Sequence, residues 1–380
     1  MTERIVVVGG GTGGCVLANR LADDLGPELD RGEVELLLVT DSPQHVYKPA
    51  FLYVAFGERT LAEAERPVAD LVDRRVRLRI GTATGVDTDA KRLAVAGTTD
   101  VPYDHLVLTI GCQLVPEETP GLAEGGHHFY GPDGAETLRD ALSEFTEGHL
   151  VLSVIGVPHM CPAAPLEFVL IADDWFRRRG LRDDVEITYT YPIGRAHGIQ
   201  SLADWATGEF AARDIHLETF VNPEEIDPEE RIVHTMEGEE LSYDLLVAIP
   251  PHAGSDLVSE AGLGDDGWVA VDRGTLEATH ADGVYAIGDV ADVPTSKAGS
   301  VAHYEASVVA DRIASRVRGE TPTATYDGKT VCFVESGLDE ATFVEFGYGD
   351  EPAVREPSRF VHWGKLAYNE SYWLTARGLL

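Results

Sequence analysis

Short, wholly apolar runs alternate along this chain with longer segments whose apolar residues recur every three or four positions. RIVVV (residues 4–8) is the first run; GGGTGG follows at once, and CVLANRLADDL continues with helical spacing. EVELLLVTD extends the order strand, glycine turn, helix with a strand ending at Asp41, and further strands are expected at 76–81, 92–96 and 105–110 (HLVLTI). A second unit opens with HLVLSVIG (149–156), passes through the helical PLEFVLIADDWFRRRG and returns as VEITYTYP. RIVHTMEGEELSYDLLVAIPP reads as a hairpin leading into a strand, VYAIGDVAD as a strand ending at Gly288-Asp289, and a helix is expected from about Ala302 to Arg318. Strands that are apolar on both faces and separated by helices need cover on both sides. This predicts an α/β fold with two Rossmann-like dinucleotide-binding units. KTVCFVESG and ATFVEFGYG then read as two strands of a small separate layer, and FVHWGKLAYNESYWLTARGLL as an amphipathic, aromatic-rich end.

The first glycine turn has the spacing a pyrophosphate needs. Gly9 permits a tight turn, Gly11 lets phosphate approach the backbone, and Gly14 lets helix pack closely on strand, with Thr12 and Gly13 between them. Phosphate charge would rest on the helix amino terminus. Asp41 stands where a ribose-binding carboxylate is expected, displaced along the chain because GPELDRG lengthens the connection. The second unit lacks this signature. VIGVPHMCPAAPLEF (154–168) holds one glycine, three prolines and a cysteine; proline removes amide donors, and side chains take the space of a pyrophosphate. A nicotinamide dinucleotide should not bind well there.

Composition narrows the class. At 380 residues two or three domains are expected, and 44% apolar residues suffice for packed cores. The 65 acidic residues outnumber 30 basic ones for a net charge of −35, and the only lysines are Lys48, Lys91, Lys297, Lys329 and Lys365. Such a surface repels nucleic acid, which is excluded as a partner; in molar salt the Debye length falls to about 3 Å and the repulsion fades. The balance reads as salt adaptation of haloarchaeal type.

The tail departs from the rest. From Ala353 onward Arg355, Arg359, Lys365 and Arg377 oppose only Glu356 and Glu370, interleaved with Phe360, Trp363, Tyr368, Tyr372, Trp373 and Leu374. This suits a membrane interface, with aromatics in the headgroup boundary and basic groups on lipid phosphate; a dimer interface or a core-covering helix is the alternative. MTERIVVVGG runs straight into a strand and reads as no leader, and no apolar run reaches the roughly 18 residues of a bilayer-spanning helix. Four cysteines without a CxxC pair argue against a disulfide scaffold and a zinc site, so no metal is expected. Cys15 and Cys112 read as packing residues, and His127-His128 as a solvated loop pair.

Three motifs in order now carry a resemblance: VVVGGGTGG, the TIG ending near residue 110, and THADGVYAIGDVAD near residue 285. They resemble the two-dinucleotide-domain flavoproteins that include glutathione reductase-like enzymes and type II NADH dehydrogenases. The resemblance implies FAD, with Asp289 on the ribityl chain and Lys48, Ala83, Ile110, Gly111, Gly288, Lys297 and Gly299 among the cofactor contacts. The missing second glycine motif speaks against the NADH-using members, and what stands in its place resembles the sulfide:quinone oxidoreductase family. Cys161 and Glu167 in CPAAPLEF are similar to that family's cysteine and helix-borne glutamate beside the flavin. Cys332 in KTVCFVESG resembles the partner cysteine, and Lys297 a lysine near the flavin's pyrimidine edge.

The chemistry implied is attack of HS⁻ on an oxidised Cys161–Cys332 pair, with electrons passing through FAD to quinone and sulfur leaving in zero-valent form. The residues alone leave open which sulfur meets sulfide; by resemblance Cys332 faces the flavin. Cys161, ahead of a helix start, should gain thiolate stabilisation from its amino terminus, and Glu167 is expected to relay protons. Phe333, Phe360, Trp363, Lys365, Tyr368 and Trp373 are the expected quinone and membrane contacts of a homo-oligomeric enzyme, peripheral on the cytoplasmic side of the cell membrane. The expected domains are 1–112 with 275–320 for FAD, 113–274 with the degenerate motif, and 321–380 as the quinone and membrane region. Two positions depart from the family. Tyr130 lies nearest to where some members carry a third cysteine, and a family histidine falls nearer Arg195 than His197. The rival readings are the flavin subunit of a flavocytochrome c-type sulfide dehydrogenase, a type II NADH:quinone oxidoreductase, and a non-catalytic flavoprotein redox sensor.

Overall fold

A computed structural model describes residues 2–379. Its principal elements are β1 (Glu3–Val8), α1 (Thr12–Asp24), β2 (Val34–Thr40), β3 (Arg77–Ile80), β4 (His105–Leu108), β5 (Gly148–Val154), α2 (Ala164–Arg179), β6 (Val185–Tyr191), β7 (Ile215–Thr219), β8 (Leu245–Ile249), β9 (Val284–Ala286), α3 (Gly299–Val317), β10 (Thr330–Glu335), β11 (Ala341–Phe346) and α4 (Arg359–Thr375). Two parallel sheets organise them. The first has the order β9-β4-β1-β2-β3, with Glu3 opposite Val34 and Ile5 opposite His105. The second has the order β7-β6-β5-β8, with Leu150 opposite both Ile187 and Leu245. The apolar runs became inner strands because both of their faces are covered: Ile5, Val6, Val7 and Val8 are all buried, as are Leu150, Val151 and Leu152.

α1 and α3 pack on each other over the first sheet and share one core with it. α2 lies on the second sheet, where Leu166, Phe168, Val169 and Phe176 enter a larger core. Gln113 pairs antiparallel with Ala253 where the chain crosses between the sheets. Beyond that crossing Val258, Leu263 and Val269 pack into the core of the first sheet.

Two expectations for the last sixty residues change. The β10–β11 hairpin is no separate layer, because Val334 and Val344 belong to the core under the second sheet. The aromatic end is one helix, α4, capped by Ser358, whose Oγ accepts the Val361 amide at 3.3 Å. Its inner face carries His362, Lys365, Asn369 and Tyr372, at helical spacing, while Phe360 and Trp363 stay 79% and 59% exposed. Among the described residues no helix is long and apolar enough to cross a membrane.

Candidate active site

The first turn is built around positions where only glycine fits. A Cβ on Gly14 would lie 1.8 Å from the Gly9 carbonyl oxygen, and one on Gly9 (φ +112°) 2.5 Å from the Thr109 carbonyl oxygen. Gly11, between them, has nothing within 4 Å of its Cβ position. α1 starts at the next residue with no side-chain cap over its first-turn amides. Open ground before an uncapped helix terminus suits a pyrophosphate. Asp41 is exposed just past β2, and Gly81 donates its amide to the Thr40 carbonyl at 2.7 Å, bringing the strand that begins at Ala83 towards the same end. Ile110 and Gly111 follow β4; Gly288 and Asp289 follow β9, and Gly299 opens α3. The expected contacts therefore gather largely at the carboxyl ends of one sheet, and a flavin dinucleotide fits there.

Two groups, the buried Glu305 and the half-buried Lys297, fix this rim. Gly288 donates its amide to Glu305 Oε2 at 2.6 Å, and burial pushes the Glu305 carboxyl up to about 8, so it holds a proton near neutrality. Lys297 Nζ donates to the Asp289 carbonyl at 2.6 Å and lies 3.9 Å from the Trp268 ring centre. Burial lowers the Lys297 pKa, with Asp289 opposing the shift. Lys48 Nζ approaches Met160 Sδ at 3.1 Å. Cys112 Sγ lies 4.0 Å from Asp289 Oδ2, whereas Cys15 is fully buried with its thiol on the Gly10 carbonyl at 3.3 Å.

The second turn is filled. Pro158, Pro162 and Pro165 contribute no amide, the Cys161 amide is spent on the Lys297 carbonyl at 2.7 Å, and the Ala164 amide on the Cys161 carbonyl at 2.9 Å. His159 and Met160 are buried inside it. Cys161 sits ahead of α2 in the left-handed region (φ +44°). Tyr130, the residue nearest the family's third cysteine, donates its hydroxyl to the Cys161 carbonyl at 3.4 Å.

Cys332 lies in the middle of β10 opposite Val344, and both cysteines pack against the same core as thiols. They are near enough that ionising Cys332 opposes ionising Cys161. Burial pushes the Cys161 thiol well up and the Cys332 thiol up to about 12, and Glu167 adds to both. The Lys365 ammonium pulls the other way at each sulfur, and the Ala164 amide does so at Cys161. The expected helix stabilisation of a Cys161 thiolate is therefore present but outweighed by desolvation.

Beneath the sulfurs lies a charge cluster that the sequence did not announce. Glu167, in the first turn of α2, accepts the Glu335 amide at 2.9 Å and forms an ion pair with Lys365. Lys365 Nζ is also 3.7 Å from Glu335 Oε1, which accepts the Tyr53 hydroxyl at 2.7 Å; Glu335 Oε2 faces His362 Nδ1 at 2.9 Å. Burial raises the Glu167 pKa. Burial alone would lower that of Lys365, but Glu167, Tyr53 and Glu335 together hold it well above the ordinary lysine value. Lys365 is thus an interior counter-ion and not a lipid contact: at 7% exposure it is out of reach of a headgroup.

The other expected aromatic contacts divide. Phe333 meets Phe343 and Tyr368 at 6.0 Å between the hairpin and α4; Phe360 and Trp363 touch each other at 5.6 Å on the outer surface; Trp373 is half-buried against Tyr372. The histidine pair is not a solvated loop. His127 bridges to β8, its amide on the Leu246 carbonyl at 2.9 Å and its carbonyl receiving the Ala248 amide at 2.7 Å. His197 is buried and accepts the Ile199 amide at 2.9 Å, while Arg195 binds Gln200 and the Gly198 carbonyl.

Residues 3–310 match the family model of the pyridine nucleotide-disulphide oxidoreductases. This chain belongs to that family. It is an FAD-binding, FAD-dependent oxidoreductase. The mitochondrial sulfide:quinone oxidoreductase of Mus musculus is 25% identical over 365 residues, covering 93% of this chain and 80% of the relative. The crystal structure of the sulfide:quinone oxidoreductase from Aquifex aeolicus aligns with a TM-score of 0.87 at 22% identity, over 99% of this chain and 92% of that one. The NDH2 of Plasmodium falciparum, solved in complex with NADH, aligns with a TM-score of 0.73 at 12% identity, over 99% of this chain and 98% of that one. Both alignments show the shared fold.

Glu305, Glu335, His362 and Tyr53 were missed as members of this site. The signal for Glu305 was a carboxylate on the apolar stripe Val301, Ala302, Ala306, Val309 of α3, and that for Glu335 an acidic residue closing the apolar strand that carries Cys332. Nothing local marks Tyr53 or His362, which arrive through tertiary packing.

Proposed function

We propose that this chain oxidises sulfide to zero-valent sulfur through Cys161 and Cys332, with the electrons passing by way of FAD to a quinone. The observation that supports this most is that Cys161, ahead of α2, and Cys332, in β10, pack partly buried against one core, with Glu167 and Lys365 acting on both thiols. Once oxidised, the pair presents an S–S bond. HS⁻ attacks one sulfur, forming a new S–S bond and breaking the old one, so that a persulfide and a thiolate remain. The departing thiolate is costly in so buried a place, and Lys365 is the cation that lowers this cost at either sulfur. Loss of two electrons and a proton then joins the cysteines through the captured sulfur, ready for the next HS⁻. FAD, when bound, would supply the two-electron acceptor and the route to quinone. Glu167, its pKa raised by burial, is placed in this reading to hold and release the proton.

The remaining roles follow from position. Gly9, Gly11, Gly13, Gly14 and the Thr12 amide would hold the pyrophosphate, Asp41 a ribose, and Asp289 with Lys297 the flavin side, so that residues 1–112 with 275–320 serve FAD. Residues 113–274 frame Cys161. Phe333 and Tyr368 would bound the quinone, and Phe360 and Trp363 would rest in the headgroup layer on the cytoplasmic side of the membrane, in a homo-oligomer. The filled second turn weighs against a pyridine nucleotide as reductant. Reduction of a short-chain quinone by sulfide, followed anaerobically in high salt, tests the reading. Turnover is expected in the wild type and only background in Cys161→Ser and in Cys332→Ser; undiminished turnover in either variant would overturn it.

A further inference from the structure

The phosphate turn is tied to the far end of the chain. Thr12 Oγ1 lies 2.7 Å from Tyr372 Oη, Tyr372 Oη 2.6 Å from His45 Nε2, and His45 Nδ1 2.8 Å from the Gly10 carbonyl oxygen. The last member fixes the direction of every proton. A carbonyl only accepts, so His45 Nδ1 carries a hydrogen. Burial presses the His45 pKa to about 4, so the ring is neutral and Nε2 is left as an acceptor. Tyr372 must then donate to Nε2, and Thr12 must donate to Tyr372. The Thr12 hydroxyl hydrogen is thereby spent, which leaves its backbone amide for phosphate. Gly10 and Thr12, the two ends of this ring, flank Gly11, the residue that faces open ground.

Independent contacts seat α4 on the same layer. Asn19, two turns along α1 from Thr12, donates to the Ala376 carbonyl at 2.8 Å and the Leu71 carbonyl at 2.9 Å. Tyr47 stacks on Tyr372 with ring centres 3.9 Å apart and donates to Asn369 Oδ1 at 2.6 Å. The cofactor turn and the carboxyl-terminal helix are therefore one packed unit, although more than three hundred residues separate them in sequence.

We propose that Tyr372 is a positioning residue for FAD: its hydroxyl presets the Gly10–Thr12 turn, and bound FAD in return holds α4 in its seat. The linkage is reciprocal by necessity, so a variant that weakens FAD through Tyr372 must equally weaken the hold of FAD on α4. Since α4 also carries the outward Phe360 and Trp363, cofactor loading and the readiness of that face are coupled through one hydroxyl.

Titration of apoprotein with FAD in high salt, read by flavin fluorescence quenching, tests this without turnover. Tyr372→Phe keeps the ring and its stack and removes the two hydrogen bonds; FAD binding about tenfold weaker is expected, the size of one to two net hydrogen bonds. Thr12→Val, which leaves the Tyr372–His45 bond intact, should weaken FAD in the same direction. Tyr47→Phe, which removes a contact of α4 that does not reach the turn, should stay within about twofold of wild type. Hydrogen exchange supplies the reciprocal readout. FAD should slow the amides of residues 359–375 in the wild type, and in Tyr372→Phe by a factor smaller to the same extent as the affinity loss. FAD affinity unchanged in Tyr372→Phe, an equal loss in Tyr47→Phe, or α4 exchange indifferent to FAD would each overturn the proposal.

Discussion

The turns at 9–14 and 156–161 occupy the same place in two sheets of one architecture, each following an inner strand and preceding the helix that packs on it. In the first, backbone crowds Gly9 and Gly14 so closely that no side chain fits, and α1 begins at Thr12 with its first amides uncapped. In the second, α2 waits until Ala164, three prolines carry no amide, the Cys161 and Ala164 amides are already bonded, and His159 and Met160 fill the space. Gly156 is crowded by nothing. One place in the fold thus presents either empty ground lined with amides or a filled loop that carries a sulfur. Strand and helix are conserved between the two halves of the molecule; the few residues joining them decide what each half can hold.

That contrast is broken most severely at Gly14. The Gly9 carbonyl that would meet an alanine Cβ at 1.8 Å is backbone and has no rotamer to adopt, so Gly14→Ala should abolish FAD retention, measured as flavin absorbance per protein after gel filtration. Next in size is Lys365→Met, which leaves two carboxylates in the interior without their cation; a loss of about 3–5 kcal/mol is expected from denaturant unfolding. If Lys365 instead served lipid at the surface, the same change would be nearly silent.

A pH-dependent effect belongs to Glu305 at the rim of the first site. Its folded pKa of about 8 stands above the ordinary 4.5, so its contribution is fully present below pH 4.5 and lost as pH rises through 8. Glu305→Gln cannot ionise. The stability of wild type relative to this variant should therefore fall between pH 4.5 and pH 8, as urea midpoints on FAD-loaded protein would reveal. The smallest effect is expected at Gly156→Ala, within about 0.5 kcal/mol and with flavin retained, which sets the second turn against Gly14 directly.

Periodicity carried most of the fold. Strands buried on both faces announce themselves as uninterrupted Val, Ile and Leu, and the glycine turn is local enough to read residue by residue. α3 starts at Gly299 and not near Ala302: Ala298, still extended, is the last residue before the helix and gives it no side-chain cap. What stayed hidden depends on packing between distant segments. In sequence Lys365 reads as a lipid contact, because a basic residue among aromatics has the look of an interfacial one; only the arrival of Glu167 and Glu335 beside it turns it inward. The thiols mislead in the same way, because a helix amino terminus is visible in sequence whereas the burial that overrides it is not. Tyr372 reads in sequence as one more interfacial aromatic, yet it lies at 2% exposure, bonded to residues near the opposite terminus.

The central claim is that the second half has exchanged a nucleotide site for a sulfur site. Anaerobic titration of the FAD-loaded protein in high salt, once with sulfide and once with NADH, tests it by flavin absorbance alone. Bleaching by sulfide together with an unchanged spectrum in NADH is the predicted result; bleaching by NADH, or none by sulfide, would contradict it.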